Sequence, residues 1–345
     1  MRMKRLLGTV LTLGMLLTSV TIPNSAFAAE KIETVNLETP KQAVEIAPTV
    51  KMKKIESNFQ KLIMKSKLSV SAIKPSVKVK NLQSTTGDGF EPNNMPNTAT
   101  SGLKGQMISA NIHDGDDVDW YSFTVTSDEV SNNEIYSFIL TDIPENCNYD
   151  MYVLDSTLSS GLWDLKEGNA SEQMLFSFNA AGTYYVMVRS SSGYSNSNYR
   201  LYFGHCYLNG STGWADSGAS FNFADKQIGT DGYVYSSPQL HVLDLSSNAA
   251  FPLGSIVKRF YLDSQHTGTW GGFEKCLIAA SDSNNEHWVL GGIDVFDFTG
   301  ENYLVKQQWG IRGRVNYCSS FVWTPRVSVD FKYPMILQNL SYAGQ

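Results

Sequence analysis

Alternation of apolar and polar positions dominates the chain beyond residue 83. Tyr121, Phe123 and Val125 share one face of a run from Asp119 to Val125. Tyr184, Val186 and Val188 do the same within Gly182 to Arg189, as do Tyr199, Leu201 and Phe203 within Asn198 to Phe203. A period of two marks a strand with one buried face. Further runs rich in Val, Ile, Tyr and Phe span Glu134 to Leu140, Asp150 to Leu154 and Gln173 to Phe178, with Gly, Asn, Ser and Pro between them. One apolar face per strand predicts two sheets packed face to face. The roughly 120 residues from 84 to 204 are ample for one sandwich with its own core.

Strand-like runs continue at Gln239 to Leu245, Ser255 to Leu262, Lys275 to Ala280, His287 to Phe296, Asn302 to Gln308, Arg326 to Phe331 and Met335 to Leu340. That spacing predicts a second antiparallel sandwich over residues 205 to 345, so the whole chain reads as all-β. Trp214, Trp270, Trp288, Trp309 and Trp323 fall in this half. Such rings fill a core or, on loops, stack on ligands. The stretch from His266 to Phe273, with Trp270 at its centre, is the loop singled out for ligand contact.

The first 83 residues differ in kind. Arg2, Lys4 and Arg5 precede an apolar stretch from Leu6 to Val20, and Ala26-Phe27-Ala28 supplies small residues for cleavage. Residues 1 to 28 therefore read as a secretory signal peptide, which predicts a secreted, extracellular protein. No later segment reaches the ~18 apolar residues of a membrane-spanning helix. From Glu30 to Gln83 there are eleven Lys and five Glu, whereas Ser84 to Gln345 holds 13 Lys and Arg against 28 Asp and Glu. The acidic body disfavours nucleic acid and suits cations. Residues 29 to 83 read as a basic linker or pro-segment. Met52, Ile55, Phe59, Leu62 and Ile63 have helical spacing, and Lys51, Lys53, Lys54, Lys61, Lys65 and Lys67 would hold such a helix against an anionic cell wall.

Candidate chemistry flanks what reads as one strand. Glu91-Pro92-Asn93-Asn94 stands before it, and Asp114-Gly115-Asp116-Asp117-Val118-Asp119, some twenty residues later, stands after it. Oxygen-rich clusters on two neighbouring segments can cage a hard cation such as Ca²⁺. The second cluster reads equally as a polar turn, with Asp and Gly chosen for backbone conformation. No register fits an EF-hand.

Five motifs stand in the order seen in bacterial pre-peptidase C-terminal domains: the Glu91 segment, Asp116 to Phe123, Asn148 to Val153, Ala181 to Val186, and Ser195 to Tyr199. Residues 84 to 204 also resemble the related collagen-binding domains of clostridial collagenases. The resemblance implies a jelly-roll-like sandwich that aids attachment or stability of secreted proteins. Carried over residue by residue, it implies calcium ligands at Glu91, Asn93, Asn94, Asp116 and Asp119. A further acidic position of the pattern falls on Gly89, beside Asp88. Aromatic residues on one sheet face make the contact in the collagen-binding relatives. Of Tyr185, Tyr194, Tyr199 and Tyr202 here, alternation leaves Tyr185 and Tyr202 as the outward pair, unless loops or the second half cover them.

The export signal places Cys147, Cys206, Cys276 and Cys318 where disulfides persist. Cys276 with Cys318 and Cys147 with Cys206 are the expected pairs. No His-Glu-x-x-His or Gly-x-Ser-x-Gly motif is present. The leading expectation is a non-catalytic, calcium-assisted module that attaches to extracellular protein or polysaccharide. The rival is a secreted hydrolase using acidic pairs among Asp263, Glu274, Glu286 and Asp294.

Overall fold

The computed structural model describes residues 87–342 and the pair Lys53–Lys54, with backbone alone at 53–54, 225–227 and 317–320. The signal peptide and nearly all of the basic segment lie outside the described residues. Lys53–Lys54 is not helical as the apolar spacing around it suggests: it forms a short strand against Ser160 and Gly161.

The described chain is all-β, with its strands in four sheets, antiparallel but for one short pairing. In the first half one sheet runs in the order Lys53–Lys54, Ser160–Asp164, Asn148–Asp155, Gly182–Ser192, Val118–Val125, Thr100–Ser101. The facing sheet runs Met107–Ala110, Tyr199–His205, Ile135–Thr141, Glu172–Ser177. Successive strands repeatedly switch sheets, so the two inner faces interlock. Tyr121, Phe123, Val186 and Val188 meet Phe138, Leu140, Leu201 and Phe203 in one buried core. Phe123 sits at its centre, with ring centroids 5.5–6.1 Å from Tyr136, Phe138, Phe178, Tyr184 and Phe203. Such aromatic pairs add to the burial of apolar area.

The first sheet is apolar on its reverse face too. Trp120, Tyr152, Leu154, Leu158 and Met187 form a separate buried cluster there, with Tyr185 packed against it. Tyr185 meets Trp120 edge to face at 6.0 Å. It is half-buried rather than a free surface ring.

In the second half a sheet built on Tyr207–Ser211, Arg326–Pro334, Ile256–Leu262 and Val295–Asp297 faces a curled eight-stranded sheet. Phe221, Phe260, Trp309, Trp323 and Phe331 lie in the core between them. Three expected strands differ. His287 to Phe296 is two strands, His287–Leu290 in the eight-stranded sheet and Val295–Asp297 in the facing one. Asn302 to Gln308 makes only an isolated bridge through Leu304, and the strand begins at Gln308. Met335 and Ile336 are followed by the 3-10 helix Leu337–Tyr342.

That C-terminal segment returns to the first half. Met335 is fully buried against Ile139 and Tyr202, and its carbonyl accepts from Ser137 Oγ at 2.6 Å. Leu337 N–H donates to Gln173 Oε1 at 2.9 Å. Tyr202 is thus 2% exposed, its hydroxyl donating to the His205 carbonyl, and cannot serve as an exposed binding residue. Alternation did turn it outward from its own sandwich, but the second half covers that face.

Cys147, Cys206 and Cys276 are buried free thiols, so neither expected pair forms. Cys206 N–H donates to the Ile135 carbonyl, at one end of Ile135–Thr141, whereas Cys147 follows the other end of that strand. A seven-residue strand spans far more than the Cα separation a disulfide tolerates. Cys276 and the strand Tyr317–Trp323, which carries Cys318, have three strands between them in the sheet. Burial pushes the Cys206 thiol up to about 11 and that of Cys276 higher still, which keeps both protonated.

Candidate cation site

At one end of the first sandwich, the segment from Asp88 to Asn94 lies along the start of Val118–Val125. Backbone and short side chains fix it there. Trp120 N–H donates to the Asn93 carbonyl at 3.0 Å and Val118 N–H to Asn94 Oδ1 at 3.2 Å. Asp88 accepts from Phe90 N–H at 2.8 Å and from Asn111 N–H at 2.7 Å. Asn93 N–H donates to Glu91 Oε2 at 3.2 Å.

The Asp-rich turn supplies the other wall. Asp114 Oδ1 accepts from Asp116 N–H at 2.9 Å, the local turn that favours Asp here. Asp116 is exposed, so the turn claims it; Asp117, 2% exposed, points inward instead. Side chains two apart on a strand share a face, so Asp117 and Asp119 continue the inward row of Tyr121, Phe123 and Val125. That parity was the signal for Asp117. His113, which sequence reasoning did not single out, donates its backbone N–H to Asp117 Oδ2 at 2.8 Å. Its Nδ1 lies 2.5 Å from the same oxygen and 3.8 Å from Glu91 Oε1. Among the described residues no Lys or Arg is ion-paired with Asp88, Glu91, Asp117 or Asp119; His113 is the basic group beside them.

Glu91, Asn93 and Asp119 of the expected ligands thus stand in this cluster with Asp117 and His113. Asn94 is at its edge, spent on a backbone bond, and Asp116 faces solvent. Asp119 is fully buried; its Oδ2 accepts from Tyr199 Oη at 2.6 Å. Burial pushes its carboxyl up to about 8, against the pull of that hydrogen bond and with help from the charges of Asp117 and Asp88. Burial and then the Asp117 charge also raise Glu91.

The pocket leaves polar atoms without partners. Glu91 Oε1, both amide atoms of Asn93, Asn111 Oδ1, Asp117 Oδ1 and Asp119 Oδ1 are buried with no hydrogen bond from the chain. Orphaned buried groups are rare, and each implies a water or an ion as partner. Here five of the six atoms are oxygens and the local charge is negative, so the donor set fits a divalent cation.

The remaining candidates sit elsewhere. Trp270 is on the strand His266–Gly271 rather than a loop, half-buried against Phe273 at 5.4 Å, with Nε1 donating to His266 Nε2 at 3.0 Å. The acids considered for hydrolysis each face a cation. Asp263 meets Arg326 at 2.7 Å, Glu274 meets Arg314 at 2.5 Å, Asp294 meets Lys275 at 2.5 Å, and Glu286 pairs with Arg312. Lys275 is fully buried and also donates to the Leu262 carbonyl and to Ser264 Oγ, so its three protons are all engaged.

No family model and no curated protein matches the chain. The solved structure of PBSX exported protein XepA is 8% identical, over 85% of this chain and 100% of that one, with a TM-score of 0.19. The infectious bursal disease virus VP2 subviral particle is 10% identical, over 70% of this chain and 76% of that one, with a TM-score of 0.18. Scores this low carry no conclusion for this chain.

Proposed function

We propose that the protein is an exported, non-catalytic binding module in which a divalent cation, calcium at extracellular concentrations, locks one end of the first sandwich. In this reading it attaches to extracellular protein or polysaccharide. The observation that carries it is the cluster of orphaned buried atoms on Glu91, Asn93, Asp117 and Asp119, with burial and mutual repulsion acting against ionised carboxylates there. Those four residues would hold the ion, which would supply the missing positive charge. The order of motifs shared with pre-peptidase C-terminal domains supports attachment as the role. The basic segment 29 to 83 supports a location near an anionic cell wall.

Melting of the full chain in EDTA and in calcium tests the ion. A site of Kd about 10⁻⁴ to 10⁻³ M adds on the order of 1 kcal/mol at millimolar calcium. An unchanged midpoint would reject it. A glycan and matrix-protein array, read with calcium and with EDTA, tests attachment: the expected result is retention that EDTA abolishes, and a blank array in both conditions rejects it.

A further inference from the structure

We infer that this pocket is a mixed nitrogen–oxygen site, in which Glu91, His113 and Asp117 bind a borderline divalent ion such as zinc in preference to calcium. The inference rests on the reading of the pocket as a cation site and specifies its ion. Calcium takes six to eight oxygens, whereas imidazole suits zinc and its neighbours among the transition metals. An imidazole inside the cluster therefore changes which ion the donor set prefers.

The geometry supports this choice. One ligand atom from each of Glu91, His113 and Asp117 lies within 4.8 Å of the other two. A tetrahedral ion with bonds of about 2.0–2.2 Å needs its donors roughly 3.3–3.6 Å apart; the 3.8 Å between His113 Nδ1 and Glu91 Oε1 is near that spacing, and the 2.5 Å between Nδ1 and Asp117 Oδ2 must widen on binding. His113 presents Nδ1 to the pocket while its Nε2 faces Asp114 Oδ2 at 3.4 Å. Once drawn in to hydrogen-bond distance, a carboxylate behind the far nitrogen fixes the tautomer of a metal-ligating histidine. The backbone bond from His113 to Asp117 holds two of the three donors in register. Independently of these three, Asn93 is fully buried beside Asp119 with neither amide atom in a hydrogen bond of good geometry, which an occupant from outside the chain would satisfy. The His113 side chain is 19% exposed, which leaves an entry path from solvent.

The experiment uses the full-length protein stripped of metal, titrated separately with zinc and calcium, with bound metal counted after dialysis. We expect one zinc per chain, and we expect His113→Asn, which substitutes an oxygen donor, to weaken zinc by about tenfold or more while sparing calcium. Cobalt in place of zinc should give visible bands without thiolate charge transfer, since the described thiols lie outside the pocket. Asp114→Asn, which leaves all three ligands intact, should also weaken zinc; it keeps the test decisive if His113→Asn misfolds. Zinc affinity unchanged in both variants overturns the inference. Calcium stabilisation without zinc uptake overturns it too and leaves the proposed function standing. Zinc uptake without any calcium response does the reverse, and no response to either ion ends both.

Discussion

Asp119 and Tyr199 join the two sheets of the first sandwich through a hydrogen bond of 2.6 Å, made inside the core from facing strands. Tyr199 in turn contacts Tyr121 Oη at 3.0 Å. A carboxyl in that position is stable when protonated, or when ionised beside a cation.

Stability without metal should therefore fall as pH rises. Burial pushes the Asp119 carboxyl up to about 8 from an ordinary 3.8, and that of Glu172 up to about 8 from 4.5 against the pull of hydrogen bonds from the Lys166 and Met151 N–H groups. Between those limits the folded state holds protons that the unfolded chain has released, so the stabilisation is full below pH ~4 and lost as pH rises through 8. Glu129, held low by Lys104 and His205, is ionised in both states across the upper part of this window and does not oppose the trend. In EDTA the melting temperature should drop from pH 5 to pH 8. Glu172→Gln should remove part of the slope and Asp119→Asn another part; a flat profile contradicts the assignment.

Asp117 and Asp116 are adjacent but should behave differently. Asp117→Asn should abolish the metal-induced rise in melting temperature, because an inward carboxylate is lost. Asp116→Asn should leave it within error. Equal effects would place the ion on the outer side of the turn.

Tyr202→Ala should cost about 3–5 kcal/mol, the range for removing a large buried aromatic ring. Urea unfolding measures it. A loss below 1 kcal/mol would be incompatible with the packing of Tyr202 on Ile139 and Met335.

Cys147, Cys206 and Cys276 should resist thiol reagents in the native protein and react fully once it is unfolded. Reductant should not move the melting temperature. Recovery of a Cys147–Cys206 linked peptide under non-reducing conditions would refute the structure at that point.

Much of the first sandwich was legible because its inner faces alternate strictly, and Tyr121, Phe123 and Val125 lie where the pattern puts them. The same parity placed Asp119 inward and, read one step further back, distinguishes Asp117 from Asp116. What alternation cannot report is what covers the other face. Trp120 is buried and Tyr185 half-buried on a reverse side that the pattern left to solvent, and Tyr202 is covered by Met335, distant in sequence. The second half was less legible: Phe221–Ile228 and Tyr317–Trp323 break their apolar rows with Asp, Lys, Cys and Ser. Cysteine parity suggested bridges, but pairing depends on separations that spacing along the chain does not encode.

The return of Met335 and Leu337 to the first half makes residues 335–342 a clasp between the two halves. Cutting the chain before Met335 would strip the cover from Ile139 and Tyr202, leaving a greasy scar on a sandwich whose own strands are intact. Trimming of the C-terminus should thus weaken the first sandwich itself, and a protease that nicks the tail would unsettle strands it never touches.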